Sequence, residues 1–257
     1  MSVPAPRPIK VFLVAGESSG DFLGAGLMQA LKARLGANVH FSGVGGPLME
    51  AEGLKSLFPM SDIAVMGLGP VLKRLPTILK RLKLTIGTAL LEKPDVAVLI
   101  DSPDFTHRVG RKLRAMDPSI ATVAYVSPTV WAWRAKRAPA MARWCDHLLA
   151  ILPFEPEAHR LLGGPRTTYV GHQLITRLDE MRPGPGERSG VPGEHGPVRL
   201  VVLPGSRHSE VSRLLAPFGG AVELVARRLG AIEVTLPVVA HVRAEVEAAV
   251  AGWSVPV

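Results

Sequence analysis

A single cysteine, Cys145, stands among 257 residues. No intramolecular disulfide can form and no cysteine-based metal cluster can be built, so a reducing, cytoplasmic setting is expected. No uninterrupted apolar run approaches the ~18 residues that a spanning helix needs, which confines any expected membrane contact to the surface. The opening MSVPAPRPIK carries prolines and basic residues but no apolar stretch of the secretory kind, and no signal peptide is expected. Neither a Walker A loop nor a clear G-x-G-x-x-G is present, and no solenoid-type repeat recurs. Acidic residues are missing altogether between Ala64 and Leu91.

What is present is material for a core and an excess of positive charge. Hydrophobic residues make up 47% of the chain, and 30 Lys and Arg stand against 22 Asp and Glu, a net charge of +8. That balance favours phosphates, nucleic acid or an anionic membrane surface without choosing among them. Apolar runs recur at Ile9 to Ala15, Val39 to Val44, Asp95 to Ile100, Ala121 to Val126, His147 to Leu152 and Thr167 to Val170. Helix-like stretches such as Phe22 to Leu35 and Phe105 to Ala115 lie between them. Buried strands alternating with helices predict an α/β domain over residues 1–180, its parallel sheet covered on both faces. Residues 181–197, MRPGPGERSGVPGEHGP, are too rich in Pro and Gly for a helix or central strand and predict a linker or long loop. Over 198–257 the pattern restarts with a strand at Arg199 to Leu203, a helix from about Ser209 to Leu229, a strand at Ile232 to Pro237 and a helix around Val242 to Val250. Those two αβ units are fewer than a complete doubly wound domain requires, so the second domain is expected to be incomplete.

Several segments carry chemistry. VFLVAGESSGDFLGAGL runs from an apolar strand into Gly16, Glu17, Ser18, Ser19, Gly20 and Asp21. Three readings fit it: a G-x-S-x-G elbow with Ser18 as nucleophile, a cradle of hydroxyls and helix N-terminal N–H groups for an anionic or polyhydroxyl ligand, or a plain connecting turn. The nucleophile would need an oxyanion donor from an earlier strand, and none is evident. DVAVLIDSPDF delivers Asp101 at the C-terminal end of a buried strand, where open α/β sheets place ligands, with Asp104 three residues on. A carboxylate there suits a general base towards a hydroxyl; it equally suits a cap on the next helix. SPTVWAWRAKR gathers Trp131 and Trp133 with Arg134, Lys136 and Arg137, which fits core packing, stacking on single-stranded bases, or the wall of a sugar or phosphate site. In VLKRLPTILKRLKL, Val71, Leu72, Leu75, Ile78, Leu79 and Leu82 recur at helical spacing against Lys73, Arg74, Lys80, Arg81 and Lys83. That basic amphipathic pattern suits an anionic bilayer, or an ordinary surface helix with its stripe on the core; Pro76 is expected to start the main helix or break it. LPGSRHSEV places Gly205, Ser206 and Arg207 at a strand-to-helix turn, with Glu210 following. A diphosphate fits such a turn, and so does a capped helix with a solvated arginine.

The ordered set AGESSGDFLGA, GVGGPLMEAEG, DIAVMGL, LIDSPDF, YVSPTVWAWRAKR, LPFE, YVGHQL and LPGSRHSE resembles the lipid-A-disaccharide synthases, inverting glycosyltransferases of the GT-B class. The resemblance runs from about Lys10 to the C-terminus. It implies a complete N-terminal Rossmann-like domain on the acceptor and membrane side, and a second Rossmann-like domain, for the nucleotide sugar, only partly present. The implied reaction joins UDP-2,3-diacylglucosamine to 2,3-diacylglucosamine 1-phosphate, forming the β-1,6-linked disaccharide phosphate of lipid A biosynthesis and UDP. It further implies Asp101 as base with Asp104 second, and Gly16 to Asp21 with Trp133 and Arg134 on the substrate side. Gly205, Ser206, Arg207 and Glu210 fall at the diphosphate, and Ser18 forms no ester. No cofactor or metal is expected, nor nucleic acid; an anionic inner-membrane surface is expected against the 71–83 stretch, with the protein peripheral on its cytoplasmic side. Family members continue beyond this length through the rest of the donor domain, so the chain by itself is expected not to turn over. A non-catalytic, membrane-associated module binding acylated sugar phosphate is the alternative.

Overall fold

The computed structural model describes residues 7–64, 68–185, 196–205, 208–239 and 242–255. The chain divides into two compact units, Met1–Glu180 and Met181–Val257.

In the first unit strands and helices alternate: β1 (Ile9–Ala15), α1 (Ser18–Leu35), β2 (Val39–Val44), α2 (Pro47–Ala51), α3 (Leu68–Glu92), β3 (Val96–Ile100), α4 (Pro103–Met116), β4 (Ala121–Tyr125), α5 (Arg137–Ala142), β5 (His147–Ala150), α6 (Glu155–Leu161) and β6 (Thr167–Tyr169). The short helix α7 (Leu178–Met181) crosses the division between the units. All six strands pair in parallel, in the order β2-β1-β3-β4-β5-β6. The continuous apolar reading of β1 follows from its position between two neighbours with helices on both faces. Phe12 and Val14 point into one core with Leu99, Val109, Leu113 and Trp144, while Val11, Leu13 and Ala15 point into the other with Leu23, Met28 and Met49. From Val11 to Ala15 neither face of this strand meets water.

The order reverses between β1 and β3. The first crossover carries the chain outward to β2; the next returns it past β1 to β3, and later strands add on that side. The C-terminal ends of β1 and β3, in register at Ala15 and Ile100, therefore face a crevice that no crossover fills.

Two helices begin earlier than their apolar periodicity suggests. The first includes Ser18 and Ser19 in its opening turn, and α4 starts at Pro103, a residue preset for the first helical turn. Helix α3 neither starts nor breaks at Pro76 but runs through it for 25 residues. Pro76 removes one backbone donor, and its exposed position leaves the opposed carbonyl accessible to water.

The second unit holds β7 (Val198–Val201), α8 (His208–Leu229), β8 (Ile232–Thr235) and α9 (Arg243–Val250), with β7 and β8 forming a two-stranded parallel sheet. Its small core joins Val222, Ile232 and Val234, and a second cluster joins Val211, Leu215, Val242 and Val246. Of the Pro/Gly-rich stretch, residues 186–195 lie outside the described residues. Among the described residues no helix is long and apolar enough to cross a membrane, and no group of three or more His, Cys, Asp or Glu is placed to hold a metal ion.

Candidate functional site

Asp101 follows β3 directly, and its backbone takes an unusual course. It and Ser102 both lie in the left-handed region, at φ 51° and 43°. Non-glycine residues there cost roughly 1 to 3 kcal/mol each and persist only where surroundings hold them. Three bonds hold them here. The Asp101 N–H donates to the Tyr125 carbonyl (2.9 Å), and the buried Thr106 hydroxyl donates towards the carbonyls of Asp101 (2.6 Å) and Ser102 (3.1 Å). Gly16, at the end of β1, admits this fold of chain, because a Cβ there would lie 2.5 Å from the Ser102 hydroxyl.

The result is a carboxylate turned towards the loop after β1. Ser19 Oγ donates to Asp101 Oδ2 at 2.8 Å, joining residues 82 apart in sequence. Asp101 is thus not the cap of α4; Ser102 occupies the cap position and its side chain makes no capping bond.

Asp101 lines a cavity of about 300 Å³ at the C-terminal ends of β3 and β4, with His107, Ser127, Thr129, Trp133 and Arg137 among its walls. The His107 ring packs against Trp144, centroids 5.1 Å apart. Burial first, and then the charges of Arg137 and Arg111, lower its pKa to about 4, so the imidazole is neutral at physiological pH. Trp133 is 55% exposed, donates from Nε1 to Thr129 Oγ1 (2.6 Å), and carries the Arg134 guanidinium over its ring at 4.2 Å. Asp104 stands outside this cavity lining; its side chain is 91% exposed and meets Arg137 at 3.3 Å.

The glycine-serine loop separates into two roles. Ser18 and Ser19 are exposed, and Gly16 and Gly20 are buried beneath them. Asp21 departs from the expected ligand contact. It is buried, and its carboxylate accepts from the N–H groups of Gly46 (2.9 Å), Leu48 (3.0 Å) and Met49 (3.0 Å), fixing the start of α2. A carboxylate so occupied is structural; each such bond to a charged group contributes about 1.5 to 3 kcal/mol.

No imidazole is bonded to Ser18 among the described residues. A Ser–His pair exists elsewhere: Ser127 Oγ lies 2.7 Å from Nε2 of the fully buried His159. Among the described residues His159 Nδ1 is buried without a partner and no acid orients the ring, and burial lowers its pKa. With Nε2 protonated, the imidazole donates to Ser127, whose own proton goes to the Pro128 carbonyl (2.9 Å). That arrangement locks the loop after β4 and leaves Ser127 no base.

The amphipathic stretch also divides. Ile78 and Leu82 pack on the core, followed by Ile86 and Ala89, while Leu72, Leu75 and Leu79 remain exposed one step around the helix. Arg81 turns inward with this first group, bonding Asp62 (2.8 Å) and lying 4.9 Å from the Phe58 ring centroid. Ile78, Arg81 and Leu82 therefore do not face outward as expected, whereas exposed Lys80 and Lys83 do. The Val71 side chain lies outside the described residues.

In the second unit, Gly205 takes φ 103°, and a Cβ there would lie 2.6 Å from Glu210 Cβ. The turn brings Gly205 and Glu210 together; Ser206 and Arg207 lie outside the described residues. His208 pairs with Glu245 at 2.7 Å.

Sequence reasoning missed Ser127, Thr129 and His159 as parts of this region, and gave Ser19 no particular partner. The signal for the first two lay in the SPTVW segment, at the end of a buried strand. His159 left no signal in its own neighbourhood.

The lipid-A-disaccharide synthetase family model matches residues 11–251. A lipid-A-disaccharide synthase of Rhodopseudomonas palustris (strain HaA2) is 54% identical over 246 residues, 96% of this chain and 62% of that protein. One from Rhodospirillum centenum is 46% identical over 254 residues, 97% and 62% respectively. The chain thus spans about 62% of the length of these curated relatives. Among solved structures, the UDP-GlcNAc 2-epimerase of Neisseria meningitidis bound to UDP-GlcNAc superposes with a TM-score of 0.61 at 10% identity, over 98% of this chain and 71% of that one. The glycotransferase of kitacinnamycin gives 0.52 at 16% identity, over 93% and 68%. At such identities these likenesses show the fold alone, an α/β arrangement of the GT-B type. Long, high-identity matches carry more than fold, and by them this chain belongs to the lipid-A-disaccharide synthetase family.

Proposed function

We propose that the chain supplies the acceptor side of an inverting glycosyl transfer from UDP-2,3-diacylglucosamine to 2,3-diacylglucosamine 1-phosphate, forming a β-1,6-linked disaccharide phosphate and UDP. The observation that carries this reading is Asp101, held at the crevice by Ser19 and lining a sugar-sized cavity, in a chain of this family. Asp101 takes the proton of the acceptor 6-hydroxyl as that oxygen attacks the anomeric carbon from the face opposite the diphosphate. Asp104, exposed and paired with Arg137, is the weaker candidate for this role. General base catalysis of this kind contributes typically ~10²- to 10⁴-fold. Arg207, with Gly205, Ser206 and Glu210, stabilises the charge gathering on the departing diphosphate. Glu17 and Ser18, with Trp133 and Arg134, contact the acylated sugars, while Ser19 positions Asp101 and Gly16 and Gly20 shape the loop from beneath.

Acylated sugars reside in a bilayer, and α3 offers a means to reach them. Leu72, Leu75 and Leu79 enter the interface of the inner membrane's cytoplasmic leaflet while Lys80 and Lys83 meet its anionic headgroups.

The test joins this chain to the C-terminal part of the Rhodopseudomonas palustris relative and follows disaccharide formation from both sugars. Turnover that falls ~10²- to 10⁴-fold with Asp101→Asn, the fold being intact, is the expected result. A folded chimera without turnover, or one indifferent to Asp101→Asn, refutes it.

A further inference from the structure

The cavity beside Asp101 holds more polar chemistry than a single proton transfer uses. Arg137, Thr129, Trp133 and His107 line it together with that carboxylate, in a space of about 300 Å³, room for one substituted sugar ring. Arg137 is three-quarters buried by its side chain, yet the guanidinium's single hydrogen bond among the described residues goes to Asp104, at 3.3 Å. Asp104 is in water, so the pair is screened and readily exchanged. Four further N–H donors of a guanidinium remain, in the planar fork that suits phosphate oxygens.

Thr129 adds a second donor. Its Oγ1 accepts from the Trp133 indole, and its own proton has no acceptor among the described residues. At His107, on the cavity wall, Arg137 and Arg111 each act more strongly than Asp104 does, so cationic charge prevails on this side. A hexose carries its 6-hydroxymethyl group and its anomeric substituent on the two carbons flanking the ring oxygen. A sugar 1-phosphate therefore presents a hydroxyl and a dianion about one ring apart.

We propose that Arg137 and Thr129 form the subsite for the anomeric phosphate of the acceptor, in the same cavity where Asp101 meets its 6-hydroxyl. The assignment rests on the glycosyl-acceptor reading of this cavity given above. Arg137 donates charge-assisted bonds to two phosphate oxygens, giving up Asp104, and Thr129 donates a third. The subsite selects the phosphorylated sugar over the same sugar without phosphate, and it sets acceptor identity independently of the base.

Equilibrium binding to the 257-residue chain tests this with three probes: 2,3-diacylglucosamine 1-phosphate, its dephosphorylated counterpart, and UDP. The phosphorylated sugar is expected to bind more tightly than the dephosphorylated one. Arg137→Gln is expected to weaken the former about 10- to 100-fold and leave the latter unchanged, the range expected for losing hydrogen bonds to a charged group. Arg137→Lys restores part of the loss, because it keeps the charge but not the fork. Equal affinity for both sugars, or an equal loss on both in Arg137→Gln, overturns the subsite while leaving the acceptor reading in place. Loss confined to UDP assigns Arg137 to the donor and overturns it too. Failure of the unaltered chain to bind either sugar defeats the acceptor reading itself.

Discussion

Acid should loosen the first unit through one imidazole. His107 has an ordinary pKa of 6.5 and is lowered to about 4 in the fold, by burial and then by Arg137 and Arg111. The unfolded chain therefore binds a proton between those values that the folded chain refuses, and stability falls as pH drops through 6.5, levelling off below about 4. Integrated to pH 4.5, the loss is about 2.5 kcal/mol for this one group, a sizeable share of a typical domain's stability. Burial lowers the pKa of His159 as well, but its contribution is common to a His107→Gln variant and cancels in the difference. Asp95, held down to about 2 by Arg7, loses its contribution only below its ordinary value of 3.8. The measurement is urea unfolding at pH 7.5 and pH 4.5 of the parent and His107→Gln, read from hydrogen exchange of β3 amides, which report this unit alone. The variant should lose about 2.5 kcal/mol less than the parent over that interval. Equal losses, or a His107 resonance titrating near 6.5 in the folded protein, refute the reasoning.

Ser19 acts through Asp101, so in the chimeric enzyme Ser19→Ala is expected to lower kcat about tenfold or more while sparing KM, with Ser19→Thr restoring most of it. A rise in KM at constant kcat would instead place Ser19 on the substrate. On vesicles of anionic phospholipid, Lys80→Gln with Lys83→Gln should reduce partitioning roughly 30-fold at low salt, from ~1 kcal/mol per basic residue near the surface. Arg81→Gln should cost stability through its Asp62 pair and leave partitioning almost unaltered; the reverse pattern would turn α3 the other way round.

The strands of the first sheet were legible because burial on both faces writes itself as unbroken apolar runs, as in Val11 to Ala15. Helix α2 was not, because five residues carry no period and its first turn is organised by Asp21, 25 residues away. The same distance misled the reading of Asp21, whose place in a ligand-like loop gave no hint of the N–H groups waiting beneath it. On α3, periodicity fixes how apolar residues are spaced but not which side meets the protein. Asp62 and Phe58 decide that, by drawing Arg81 inward. Asp101 could be placed at a strand end from the sequence, since buried strands terminate where the apolar run does. Its link to Ser19 needed the pairing of β1 with β3, and the Ser127–His159 contact needed the positions of β4 and α6. Neither follows from local spacing.

The strand order also bears on synthesis. Because β1 lies inside the sheet while its inner neighbour β3 is encoded some 80 residues later, Val11 to Ala15 leave the ribosome with one edge unpaired. At ~5 to 20 residues per second that edge waits roughly 4 to 16 s for its partner, tacky and open to other nascent chains. Chaperone demand should accordingly peak early in translation, before the residues around Asp101 have emerged.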